Sequence, residues 1–301
     1  MTEKANAWEL LSTEGRHPDS AELDRLPSAR IVELLVDEER HGLERVLERS
    51  AEIAVVADWM AEAFVAGGEI LFAGAGTSGR LGVLEAVEIP PTFGTAPERI
   101  RAVMAGGEDA LFRAVEGAED REDDGRAAAA DLGPGDLLIA ISASSVTPFA
   151  RGALAAARER GARTVLLTCA GPAGLDSLAD ALLALDTGPE ILAGSTRLKA
   201  GSATKAALNA LTTTAMVRSG KVFENLMVDL RPGSRKLVDR AVRIVAAAAG
   251  LDRGAAEELL GSSGGEVKTA IVAARAGLSP EAARQRLATA GGHVRKAIAD
   301  D

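Results

Sequence analysis

Residues 69–88 read EILFAGAGTSGRLGVLEAVE. The short apolar run Glu69–Ala73 gives way to a glycine-rich turn, Gly74-Ala75-Gly76-Thr77-Ser78-Gly79-Arg80, which leads straight into a helix-length stretch. A short apolar run bounded by glycines and lying between helical segments reads as a buried parallel strand. The same pattern recurs downstream. Candidate strands Ile100–Ala105, Asp136–Ser142, Thr164–Cys169 and Ala181–Leu185 alternate with helical segments. Five such units predict an α/β fold, a doubly wound parallel five-stranded sheet with right-handed crossovers. In that architecture ligands bind beyond the carboxyl ends of the strands. The residues that follow each strand are therefore where chemistry is to be sought.

Upstream of this region, two segments carry apolar residues at i, i+3 and i+4 and predict helices over Ser28–Glu48 and Ser50–Ala66, the second ended by Gly67-Gly68. Downstream, a long helix is expected from Arg197 to Lys221, followed by a less ordered link through Val228–Ser234. From Arg235 the pattern is one of short helices, broken at Gly250, Gly261–Gly265, Pro280 and Gly291-Gly292. The expected division is an N-terminal segment and helix (1–50), a sheet domain (51–232) and a small all-helical domain (233–301).

Composition excludes several classes of function. The net charge of -10 and the lack of a long basic stretch argue against a nucleic-acid partner. No apolar run is long enough to span a bilayer, and the N-terminal stretch has no apolar segment of a secretory leader, so a cytoplasmic protein without membrane contact is expected. The three histidines, His17, His41 and His293, lie far apart in sequence, so neither a metal site nor a Ser-His-Asp triad is expected. The single cysteine, Cys169, ends an apolar run and reads as a small buried hydrophobe, the alternative being a reactive thiol.

Two strand-to-helix turns are rich in hydroxyls. In the first, glycines let the backbone approach an anion, Thr77 and Ser78 can donate, and the helix N-terminus adds partial positive charge. Gly74, Gly76 and Gly79 also satisfy the dinucleotide spacing G-x-G-x-x-G, but no acidic residue ends the second strand to hold a ribose, and the Thr-Ser pair suits a phosphate monoester better. The second turn, Ser142-Ala143-Ser144-Ser145-Val146-Thr147-Pro148, either binds a ligand or contains an ordinary Thr147 N-cap. A third hydroxyl cluster opens the long helix, where Ser195 or Thr196 could cap it and Lys199 or Lys205 could meet a charge. Among the acidic segments, Pro90-Pro91 is expected to end the helix that carries Glu85 and Glu88. Glu88 would then stand at the negative end of the helix dipole, where a carboxyl is held protonated and can act as an acid; the alternative is a solvated surface carboxylate. The run Val115–Asp124 reads mainly as a solvated acidic face in which one member could serve as a base.

With these residues in view, the chain resembles the N-acetylmuramic acid 6-phosphate etherase family, a branch of the sugar isomerase (SIS) domain proteins. The matching stretches are GAGTSGRLGVLEAVEIPPTFG (74–94), AGGEDALFRAVEGAED (105–120), GSTRLKAGSATK (194–205) and SGKVFENLMVDL (219–230), with STEG and SAELD near the N-terminus and GGHVRKAI near the C-terminus. The resemblance implies a SIS domain followed by a small ubiquitin-associated-like helical domain. It implies cleavage of the lactyl ether of N-acetylmuramate 6-phosphate by elimination and hydration, in a homodimer, with no cofactor and no metal. It also implies Glu88 as the acid and Glu119 as the second active-site carboxylate, with Gly76, Thr77, Ser78, Gly79, Ser144, Ser145, Thr147, Ser195, Thr196 and Lys199 around the sugar phosphate. One departure stands out: where the family pattern reads S-G-R-T-P, this chain has Ser144-Ser145-Val146-Thr147-Pro148. Arg80, Arg197 and Lys199 are the candidates to replace the missing guanidinium. The competing readings are an aldose–ketose isomerase of sugar phosphates and a SIS protein that senses sugar phosphates without turnover.

Overall fold

The computed structural model describes residues 11–171, 175–230 and 235–299. Two helices, α1 (Ser28–Glu48) and α2 (Ser50–Ala66), precede the sheet. The alternation then runs β1 (Ile70–Gly74), α3 (Gly76–Phe93), β2 (Ile100–Met104), α4 (Asp109–Phe112), α5 (Glu122–Ala128), β3 (Leu137–Ile141), α6 (Pro148–Glu159), β4 (Arg163–Thr168) and β5 (Ala181–Ala184). All five strands are parallel, in the order β2-β1-β3-β4-β5, and each lies within one residue of its expected limits. Every residue of β1 and β3 is buried, which is why these two segments carry no polar alternation. The order reverses direction at the β1–β3 pair, the switch point at which such sheets bind ligands. There the register pairs Gly74 with Ile141, so the two strand ends are level.

Above the sheet, Leu71, Leu138, Phe149, Leu154 and Leu166 form one continuous buried cluster. Helices α5 and α6 approach each other through glycine. A β-carbon on Gly125 would collide with the Phe149 carbonyl oxygen, and one on Gly152 with that of Glu122. This close crossing fixes the loop just before α5, which carries Glu119.

Pro90 and Pro91 do not end α3; the helix continues to Phe93. Each proline removes one hydrogen bond to the preceding turn, but burial of Ile89 and Phe93 keeps the segment helical. Glu88 therefore does not stand in the last turn, at the negative end of the helix dipole.

A long helix α7 (Lys199–Arg218) follows β5, then a short antiparallel hairpin, β6 (Val222–Phe223) and β7 (Leu226–Met227), which sequence patterning missed. Among the described residues five helices follow: α8 (Arg235–Ala249), α9 (Arg253–Ser262), α10 (Val267–Ala276), α11 (Pro280–Thr289) and α12 (Val294–Ile298). The chain forms two compact units, Met1–Ala86 with Glu98–Thr212, and Val87–Pro97 with Thr213–Asp301. The boundary expected at 232–233 falls outside the described residues. The second unit has its own core, in which Phe223 and Val228 join Val245, Ile271 and Val294. Its helices are punctuated by local chemistry. Asp252 and Ser279 cap α9 and α11 with their side chains, and Gly277 ends α10 at φ 65°. Among the described residues, no helix is long and apolar enough to cross a membrane.

Candidate functional site

A cavity of about 240 Å³ opens at the carboxyl ends of β1 and β3. Gly76, Thr77 and Ser78 form one side of it, where the first-turn N–H groups of α3 have no partner within the helix. Gly79 does not line the cavity but makes it possible: a β-carbon there would sit 2.6 Å from the Gly74 oxygen and 2.6 Å from the Met104 Cβ. Only glycine lets the helix start this close to the strand.

Ser142, Ser144 and Thr147 form the opposite side. Thr147 occupies the N-cap position of α6, but its side chain makes no capping bond; its hydroxyl lies 2.9 Å from the Ser142 hydroxyl. Ser145 is fully buried at φ 61° and donates to Thr168 Oγ1 at 2.7 Å. That backbone conformation is one glycine adopts freely, which accounts for the glycine of the family pattern; here a buried hydroxyl bond offsets the strain. Val146 does not line the cavity.

Thr196 and Thr204 supply further hydroxyls, whereas Ser195 is not among the lining residues. Neither Ser195 nor Thr196 caps α7, which begins at Lys199. Its cap is Glu190, whose carboxylate accepts the N–H groups of Lys199 at 3.1 Å and Ala200 at 2.9 Å. Burial pushes the Glu190 carboxyl above its ordinary range, although these bonds and Lys199 act the other way. Lys199 does not line the cavity either. It is buried, with its ammonium paired to Glu38 and donating to the Pro189 carbonyl at 2.9 Å. Burial alone would raise the Glu38 carboxyl, but Lys199 and His17 hold it below the ordinary value of 4.5. A carboxyl lowered on folding contributes stability that is present above its unfolded value and lost as pH falls through the folded one. The stability gap between the wild type and Lys199→Met is therefore expected to narrow as pH falls below 4.5, as read from urea midpoints; a constant gap would contradict it.

Two carboxylates line the cavity. Glu119 was expected, and it is exposed on the cavity wall; its carbonyl accepts the Phe149 N–H at 3.0 Å, which ties its loop to the start of α6. Glu14 was not picked out by sequence patterning. It comes from a 3-10 turn, Ser12–Glu14, far from the sheet in sequence, and nothing in its local pattern marks it. Its carboxylate lies against Gly194, where a β-carbon would be 3.3 Å from Glu14 Oε2. Glu88 is exposed on α3 and does not line this cavity.

The lining contains hydroxyls, helix N–H groups and carboxylates, but no Lys, Arg or His. Such a surface has the chemistry to take a phosphate monoester through neutral donors, with a carboxylate left to handle protons nearby. Cys169 lies fully buried, its thiol 3.2 Å from the Thr204 hydroxyl, and burial pushes it up to about 11, so it is no nucleophile. Among the described residues, no group of three or more His, Cys, Asp or Glu is arranged to hold a metal.

Residues 52–158 match the family model for the glucokinase regulatory protein N-terminal SIS domain, and residues 112–214 the model for the SIS domain. The chain is 48% identical over 266 residues to the N-acetylmuramic acid 6-phosphate etherase of Rubrobacter xylanophilus, covering 87% of each chain. It is 46% identical to the enzyme of the same name from Gloeobacter violaceus, covering 90% of this chain and 89% of that one. Among solved structures, the Vibrio vulnificus NanR protein complexed with ManNAc-6P aligns with a TM-score of 0.47 at 18% identity, over 63% of this chain and 64% of that one.

Proposed function

The chain belongs to the N-acetylmuramic acid 6-phosphate etherase family, and on that premise we propose that it cleaves the D-lactyl ether of N-acetylmuramate 6-phosphate, releasing N-acetylglucosamine 6-phosphate and D-lactate. The observation that carries the reading is the cavity at the β1–β3 switch point, where a phosphate cradle of hydroxyls and N–H groups stands beside Glu119. Gly76, Thr77 and Ser78, with Ser144, Thr147 and Thr196, hold the 6-phosphate. Glu119 takes the C2 proton of the open-chain sugar, which the adjacent aldehyde acidifies. The electron pair forms the C2–C3 double bond as the C3–O bond breaks, and the lactyl oxygen leaves with a proton from an acid. Water then adds at C3 and a proton returns to C2. The sugar's own aldehyde supplies the activation.

The acid is Glu88, assigned by the family resemblance alone. Glu14, on the cavity wall, accepts a hydrogen bond from a sugar hydroxyl. Gly79 and Ser145 act from behind the lining by shaping the two turns, and Lys199 holds the start of α7 rather than substrate. The protein is a cytoplasmic homodimer with no nucleic-acid partner. Support for the dimer comes from α1, which exposes Val32, Val36, Leu43 and Leu47 along one stripe.

Incubation with N-acetylmuramate 6-phosphate is expected to release D-lactate, and Glu88→Ala to abolish release while still binding N-acetylglucosamine 6-phosphate. A ketose phosphate formed without lactate, or sugar-phosphate binding with no product, would overturn the reading. Unchanged turnover in Glu88→Ala would remove Glu88 as the acid.

A further inference from the structure

The substrate of this reading carries two anions, a phosphate on the sugar and a carboxylate on the lactyl arm. The cavity described above has no cation to meet the second. A neighbouring cavity of about 200 Å³ does, and the two share Ala75, Gly76 and Glu119, so Glu119 stands at their junction. Met104, Ala110, Val115 and Ala118 give the second cavity apolar walls, and Arg80 and Arg113 bring positive charge.

The two arginines are held differently. Arg80 donates from Nε to the Leu111 carbonyl at 3.1 Å, and from Nη2 to the carbonyls of Ala110 at 2.6 Å and Arg113 at 3.3 Å. These bonds fix the guanidinium and leave the two N–H donors of Nη1 unspent. They also clamp the loop on which Arg113 stands. The Arg113 side chain is exposed and makes no hydrogen bond or ion pair with any described residue.

We propose that this second cavity is the leaving-group subsite, which takes a small 2-hydroxycarboxylate with Arg113 and Arg80 on its carboxylate and the alanine and valine walls on its methyl group. The proposal rests on the etherase reading. It places C2 of the sugar beside Glu119, where the two cavities meet, with the lactyl arm reaching into the second. Glu116 also lines the subsite, exposed, and opposes an incoming anion. Once Glu119 has taken the C2 proton it is neutral, and the departing carboxylate then faces two cations against Glu116 alone.

The test compares N-acetylmuramate 6-phosphate with its lactyl primary amide, in the wild type and in Arg113→Ala and Arg113→Lys. Loss of charge-assisted bonds predicts that the wild type prefers the acid by about 100-fold in kcat/KM, and that Arg113→Ala prefers it by less than about 5-fold. Arg113→Lys should recover part of the preference, and inhibition by D-lactate should weaken in Arg113→Ala. Binding of N-acetylglucosamine 6-phosphate, which lacks the arm, should stay unchanged in both variants. A preference that survives Arg113→Ala, or an equal weakening of N-acetylglucosamine 6-phosphate, would overturn the subsite while the etherase stands. No D-lactate from the acid and no D-lactamide from the amide with the wild type would overturn the etherase reading, and the subsite with it.

Discussion

Glu119→Gln is expected to lower kcat for lactate release by between about 10² and 10⁴-fold, the usual worth of a positioned general base. The amide keeps the shape of the carboxyl and the backbone bond from Phe149 to the Glu119 carbonyl, so the loop stays in place. Binding of N-acetylglucosamine 6-phosphate should be almost unchanged, because the proposed phosphate ligands are hydroxyls and N–H groups elsewhere on the wall. Single-turnover assays with titration of that product separate the two effects. A loss confined to KM would mean that Glu119 binds substrate and takes no proton.

The second large effect concerns stability. Glu85 is buried, 4% exposed, on α3, the helix that follows the glycine-rich turn after β1. It pairs with the Lys205 ammonium and accepts from Thr212 Oγ1 at 2.8 Å, which joins α3 to α7. Glu85→Ala leaves the Lys205 ammonium, 29% exposed, with Asn209 Oδ1 alone and the buried Thr212 hydroxyl without its acceptor, and should cost about 3 kcal/mol of unfolding free energy, the low end for a broken buried pair. Glu85→Ala with Lys205→Met should recover a good part of that, since an apolar replacement for the pair leaves no stranded charge. Urea unfolding of the single and double variants reads both. A single variant within 1 kcal/mol of the wild type, well short of the roughly 3 kcal/mol expected of a broken buried pair, would mean the pair contributes little.

The sheet was legible in the sequence because its strands are buried on both faces. Continuous apolar runs such as Ile70–Ala73 and Leu137–Ile141, stopped by glycine or serine, mark strand ends to within a residue. The two hydroxyl turns were legible for the same reason, since topology puts whatever follows β1 and β3 at the switch point. What escaped notice depends on contacts between distant parts of the chain. Lys199 looks like a phosphate ligand until Glu38, from α1, is seen to hold it. Thr196 looks like a cap until Glu190 takes the N–H groups of α7. Glu14 reaches the cavity from a 3-10 turn with no periodic signal. The double proline after Glu88 fails as a helix stop because tertiary burial of Ile89 and Phe93 outweighs two lost backbone bonds.

The central claim is that the cavity beside Glu119 breaks the sugar's C3–O bond after removing its C2 proton. It is tested most directly by running the reaction in deuterated, ¹⁸O-labelled water and analysing both products by mass spectrometry. The account predicts one deuterium at C2 and ¹⁸O at C3 of N-acetylglucosamine 6-phosphate, with unlabelled D-lactate. ¹⁸O in the lactate, or no deuterium at C2, would contradict it.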